Sequence, residues 1–219
     1  MPSLEVRPVT KRNWKDYARL FEARGSPHYC WCTPYRFRDA AEMDHEEKKG
    51  AMRGLVHEAT PIGVLAYDDG EPVGWCSIAP RETYVKLERS RTMPRVTAPE
   101  TSTWTVLCFF VPRAARRKGV ASALLRGAIA YARAEGAAEV EGYPFDTSGI
   151  SSTHRGHSRV FAAAGFRRDG RRWALDLRKP AAVSRERDVV PEGPERSRAA
   201  PTPRRTGPRR ARRVAQAGK

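Results

Sequence analysis

The sequence predicts a mixed α/β fold, a central mixed and mostly antiparallel sheet that holds one parallel pair and is flanked by helices. Three stretches predict it. "IGVLAYDDGEPVGWCSIAP" (62–80) is two β-rich runs joined through Asp68-Asp69-Gly70-Glu71, a hairpin signature in which Gly70 can take positive φ. "TWTVLCFFV" (103–111) is a nearly continuous apolar strand, and a helical repeat separates it from the strand "AEVEGYP" (138–144), which makes a crossover with parallel strands. "RVFAAAGFRRDGRRWALDLR" (159–178) begins as a short helix ended by Gly165 and continues as a hairpin turning at Asp169-Gly170.

The remaining elements follow in chain order. "LEVRPVT" (4–10) alternates as a strand does, and "KRNWKDYARLFEARG" (11–25) places Trp14, Tyr17, Leu20 and Phe21 at helical spacing before Gly25. After "SPHYCWCTPYRFR" (26–38), the Pro-free run from Asp39 to Glu58 predicts a helix whose stripe of Met43, Met52, Leu55 and Val56 is thin, suited to covering a site. Pro94 and Pro99 break the stretch from Arg81 to Thr103 into loops. Ala121, Leu124, Leu125, Ala128, Ile129 and Ala132 give the crossover helix its apolar face, and Gly136 closes it.

The chain has 219 residues and a formal charge of +16. Residues 1–179 carry 30 cations against 21 acids, while 201–219 hold seven cations and no acid, so much of the basicity is terminal. The sequence predicts one domain over 1–179 and a disordered basic tail rich in Pro and Arg over 180–219, where large apolar residues are too few to offset ordering entropy. The N-terminus has charges where a secretory signal needs an apolar run, and no apolar run is long enough to span a bilayer, which predicts a cytoplasmic chain without membrane attachment. Four cysteines at 30, 32, 76 and 108 make a poor disulfide framework and are expected to be reduced.

"VPRAARRKGVASALL" (111–125) carries the chemistry. A buried strand that turns into a helix leaves the first helical N–H groups unpartnered at a positive dipole end, a ready anion site. Gly119 lets the backbone approach a phosphate, Ala121 keeps the first turn uncluttered, and Arg116, Arg117 and Lys118 add charge at the rim. The bland alternative is a solvated basic helix start.

Here the chain resembles the GNAT superfamily of N-acetyltransferases, including a bacterial subgroup with segments like "YCWCTPYR". Its acyl-CoA loop reads Arg/Gln-x-x-Gly-x-Gly/Ala, matched by Arg116, Gly119 and Ala121, and its later Gly-Phe element is matched by "FAAAGF" (161–166). The resemblance spans about 60–178. It implies acetyl-CoA as co-substrate, with Cys108, Phe109, Phe110 and Val111 along the pantetheine arm and Arg116, Arg117, Lys118, Gly119, Val120, Ala121 and Ser122 at the pyrophosphate. It also implies that the two parallel strands splay, and that an acceptor amine attacks the acetyl thioester directly. Phe161 stands where many relatives have a Tyr that protonates the leaving thiolate, and His154 where an Asn is familiar. The expected replacements are Glu141 as general base, Tyr143 as acid, and Ser158 with His154 and His157 as local polar groups.

"HYCWC" also invites a metal, since an extended chain turns His28, Cys30 and Cys32 to one face. Cys-x-Cys is tighter than the usual zinc spacing and no second pair follows, so no metal is expected. By the resemblance, Cys30, Trp31 and Cys32 line the acceptor side, for a small-molecule or peptide amine. Two rival readings stand beside the enzyme: a catalytically degenerate acyl-CoA-binding domain, and a nucleic-acid-associated protein acting through weak, salt-sensitive contacts of the tail.

Overall fold

The computed structural model describes residues 4–27, 29–146 and 153–179. The tail and His28 lie outside these residues, so the tail's predicted character and the His28 half of the metal reading are not addressed by the fold. Strands β1 (Glu5–Pro8), β2 (Val64–Asp68), β3 (Glu71–Pro80), β4 (Thr103–Phe110), β5 (Glu139–Gly142), β6 (Arg167–Asp169) and β7 (Arg172–Asp176) form one sheet in the order β1-β2-β3-β4-β5-β7-β6. All neighbours are antiparallel except β4 and β5.

Alternation along β2 shows how the sheet is covered. Val64 and Ala66 join the cluster under the crossover helix α3 (Val120–Ala134), while Leu65 and Tyr67 join the opposite cluster with α1 (Trp14–Glu22) and α2 (His45–His57). Both faces being covered explains why the strand reads as an unbroken apolar run. Helix α3 seats closely on β3: a Cβ at Gly74 would come within 2.8 Å of Val120 Cγ1 and 3.2 Å of the Phe110 carbonyl oxygen.

Two elements depart from expectation. Helix α2 starts at His45 rather than Asp39, because Asp44 and Glu47 form a capping box: the Glu47 N–H donates to Asp44 Oδ1 at 2.9 Å and the Asp44 N–H to Glu47 Oε2 at 2.7 Å. Met43 therefore falls before the helix. The segment around Cys30 is not extended, since Trp31 and Cys32 have φ of 44° and 59°, which turns Trp31 into the core and takes Cys30 and Cys32 out of the extended geometry that would align them. Among the described residues no helix is long and apolar enough to cross a membrane.

A bulge in β4 sets up the site. Ser77 pairs with Cys108 and Ile78 with Val106, so Leu107 is one residue extra against β3. The side-chain parity flips there. Val106 and Phe109 both pack under α3, whereas Cys108 and Phe110 turn to the α1 side.

Candidate functional site

Strands β4 and β5 pair from Thr103↔Glu139 to Val106↔Gly142; β5 then ends while β4 runs on to Phe110. A cavity of about 1260 Å³ opens at this divergence. Its wall takes Cys108 to Val111 from the end of β4, Arg116, Arg117 and Gly119 to Ser122 from the following loop and helix, and Arg159 and Val160 from α4 (Ser158–Ala163). Residues between Phe21 and Tyr35 complete it, together with His154 and His157.

The loop is built for an anion. Gly119 caps α3 with φ 79°, in the left-handed region that glycine adopts without cost, and Arg117 shares that region at φ 62°. No heavy atom lies within 4 Å of where a Cβ at Gly119 would sit, so the space above this helix end is open. The free N–H groups of the first turn of a 15-residue helix face that space at its positive end. Arg116 Nε donates to the Val111 carbonyl at 3.0 Å, tying the loop to the end of β4.

Ten of the eleven residues expected along the acyl-CoA site line this cavity, the exception being exposed Lys118. The expected catalytic trio does not. Glu141 is 1% exposed, with Arg81 Nη1 and Thr105 Oγ1 donating to Oε1, the latter at 2.9 Å, and Arg172 Nε and the Tyr143 hydroxyl donating to Oε2 at 2.7 and 3.2 Å. The carboxylate is held by two guanidiniums and lies off the wall, the setting of a structural anion. Glu139, two residues earlier on β5, is bound to the same Arg172. The Tyr143 phenol is buried off the wall and pushed up to about 12 by burial and then by Glu141, which makes it a poor proton donor to the cavity. Ser158 opens α4 with its N–H donating to Asp146 Oδ1 at 2.9 Å; hydrogen bonds from Ser158 hold that carboxyl below its usual value, and the residue is not on the wall.

On the N-terminal side Cys30 and Cys32 line the cavity but Trp31 does not. Its indole is fully buried, stacked on Phe21 at 5.4 Å between centroids, with Nε1 donating to His45 Nδ1 at 3.1 Å. Residues not expected on the wall include Phe21, Tyr29 and Arg159. Phe21 read as core from its helical spacing, and nothing local in the sequence marks Arg159. Among the described residues no group of three His, Cys, Asp or Glu side chains is placed to hold a metal.

The sequence model of the Acetyltransferase (GNAT) family matches residues 17–144. No curated protein sequence matches the chain. Among solved structures, the aminoglycoside acetyltransferase AAC(6')-Ib in complex with coenzyme A aligns with a TM-score of 0.52 at 14% identity over 80% of this chain and 96% of its own. An N-acetyltransferase from Staphylococcus aureus Mu50 aligns at 0.46 and 17% identity over 80% and 99%, and a GNAT acetyltransferase from Brucella melitensis in complex with acetyl-CoA at 0.44 and 14% over 81% and 90%. The family match covers more than half of the sequence, and the sheet with its single parallel pair fits it: the chain belongs to the GNAT acetyltransferase family.

Proposed function

We propose that the chain is an acetyl-CoA-dependent N-acetyltransferase acting on a primary amine by direct attack on the thioester. The observation that carries this reading is the divergence of β4 from β5 beside the Gly119-capped start of α3, with one continuous cavity against both. The residues present fit the co-substrate: the open space at Gly119 accepts a phosphate that a side chain there would displace. Main-chain N–H groups from Arg117 to Ala121 would hold the pyrophosphate, with Arg116 and Arg117 at its rim, and Cys108 to Val111 would run beside the pantetheine arm. When bound, acetyl-CoA supplies an activated acetyl group.

The cavity is larger than the roughly 300–1,000 Å³ typical of a single ligand site, which leaves room for an acceptor beside the co-substrate. With Glu141 locked between Arg81 and Arg172, proton removal from the amine falls to His154, His157 or water, the groups that the wall offers.

Calorimetric titration of acetyl-CoA into the full chain tests the reading, with release of CoA thiol in the presence of amines as the second readout. Micromolar binding that Gly119→Glu abolishes without unfolding the protein is the expected result. No binding by the wild type overturns it. Binding without thiol release across a broad amine library would instead identify a degenerate acyl-CoA-binding domain, the reading that Phe161 brings in.

A further inference from the structure

The part of the cavity wall drawn from residues 21–35 is neutral and aromatic: Phe21, Tyr29, Cys30, Cys32 and Tyr35, facing the same space as Phe110 of β4. Both thiols stay protonated: burial pushes Cys30 up to about 11, and a hydrogen bond with Cys108, then burial, holds Cys32 well above its usual value. Of the charged side chains on the described wall, Arg116 and Arg117 are taken up by the proposed pyrophosphate site and Arg159 remains; none is a carboxylate. The stretches outside the described residues within the domain do not supply one either, since His28 and residues 147–152 (Thr-Ser-Gly-Ile-Ser-Ser) contain no acid.

The layer behind this wall is positive as well. Arg36, next to Tyr35, is 3% exposed. Its guanidinium donates to the carbonyls of Pro61 and Ile62 at 3.3 and 3.2 Å and to the hydroxyls of Thr83, Ser77 and Tyr84 at 3.3, 3.5 and 3.2 Å, and it lies 4.4 Å from the centre of the Tyr84 ring. All of these partners are neutral, and Nε has no hydrogen-bond partner. Ser77 is the register partner of Cys108, which places this cation one layer behind the wall. On the opposite flank Arg155 is near enough to Tyr35 to lower its phenol electrostatically against the raising effect of burial.

A polyamine or an aminoglycoside brings several ammonium groups. Each beyond the reacting one would be desolvated here with no carboxylate on the described wall to pair it and with Arg36 and Arg155 close by, an arrangement that disfavours such ligands. The same field favours the neutral form of a single amine, the form that attacks.

Resting on the acetyltransferase reading above, we propose that the acceptor is a small monoamine on an aromatic body, of the arylalkylamine or aromatic amino acid class, and not a polycation. The amine nitrogen forms the new C–N bond to the acetyl carbonyl carbon, the C–S bond of the thioester breaks, and the proton lost by the amine ends on the leaving sulfur. An acidic substituent on the acceptor is tolerated, because the charged side chains nearest this part of the wall, Arg36 and Arg155, are positive.

Thiol release by the full chain at saturating acetyl-CoA tests this, with 2-phenylethylamine, phenylalanine, spermidine and tobramycin each titrated over a concentration series at one pH. At least one aromatic amine is expected to exceed both polycations by about tenfold or more in kcat/KM, the scale of discrimination that one desolvated like charge supplies. The phenylalanine to phenylethylamine ratio shows whether a carboxylate is bound. Tyr35→Glu, which sets an acid on the wall, is expected to move the spermidine to phenylethylamine ratio about tenfold towards spermidine. A polycation that equals the aromatic amines, no thiol release with any of the four, or a ratio unmoved in folded Tyr35→Glu overturns the proposal. Failure of the acetyltransferase reading would show separately, as an absence of acetyl-CoA binding by calorimetry or as no thiol release across the broad amine library.

Discussion

Arg172 Nε on β7 donates to Glu141 Oε2 on β5 at 2.7 Å, and the two side chains are 9% and 1% exposed. Arg81, from the turn that follows β3, reaches the other oxygen of the same carboxylate and also donates to the carbonyls of Leu87 and Met93. One anion thus fastens two strands and the long connection before β4. Such a buried junction adds little over a well-packed apolar one, yet removing one partner strands the others.

Glu141→Gln should therefore act on stability and not on chemistry. With Arg81 left without a carboxylate and Arg172 left with Glu139 alone, a loss of about 3–5 kcal/mol is expected, or roughly 10 °C in Tm for a domain of this size. Thermal denaturation measures the loss, and turnover per folded molecule below the transition should stay within about twofold. A collapse of turnover by orders of magnitude at unchanged Tm would restore Glu141 as a catalytic base.

Gly74→Ala should loosen the cavity from behind. The new methyl meets Val120 and the Phe110 carbonyl, so the start of α3 must lift from β3, at a cost of about 1–3 kcal/mol. The Gly119 end of that helix moves with it. Lower Tm together with several-fold weaker acetyl-CoA binding is expected; a lower Tm with unchanged affinity would separate the helix seat from the site.

Phe161→Tyr should not improve the enzyme. The Phe161 ring is fully buried, at 5.0 Å from the Phe166 ring and 6.2 Å from the Phe109 ring by centroid, and it is not on the cavity wall. A hydroxyl introduced there is buried, at a cost of about 1–3 kcal/mol where it lacks a partner. Denaturant unfolding should show that loss, and kcat for the best amine should not rise.

Cys30 should label slowly despite facing the cavity. With its thiol at about 11, roughly one molecule in a thousand is thiolate at pH 8, and the thiolate is the reactive form. Peptide-resolved iodoacetamide labelling should accelerate about tenfold per pH unit from 8 to 10. A plateau below pH 9 would contradict the buried, neutral wall on which the acceptor class depends.

Much of this was written locally in the chain. The hairpin at Asp69-Gly70, the parallel crossover and the face of α3 follow from periodicity and turn residues within a few positions of one another. The start of α2 was legible too, because Asp44 and Glu47 have the spacing of a capping box, but the polar run from Asp39 obscured it. The fate of Glu141 was not legible: its partners stand 60 residues before it and 31 after it, and only the sheet order brings Arg81 and Arg172 to one carboxylate. Trp31 escaped for a different reason. Two successive left-handed residues that are not glycine turn its ring inward, and local propensity argues against that conformation.

The early end of β5 leaves the last four residues of β4, Leu107 to Phe110, without a neighbouring strand on that side among the described residues, while β3 covers the other edge. An extended guest with amide groups of its own can dock there as a substitute strand, so recognition of a small molecule borrows the grammar of sheet assembly. On the acetyltransferase reading the co-substrate would complete this unfinished sheet, and slowed amide exchange along the end of β4 on adding acetyl-CoA would record the completion.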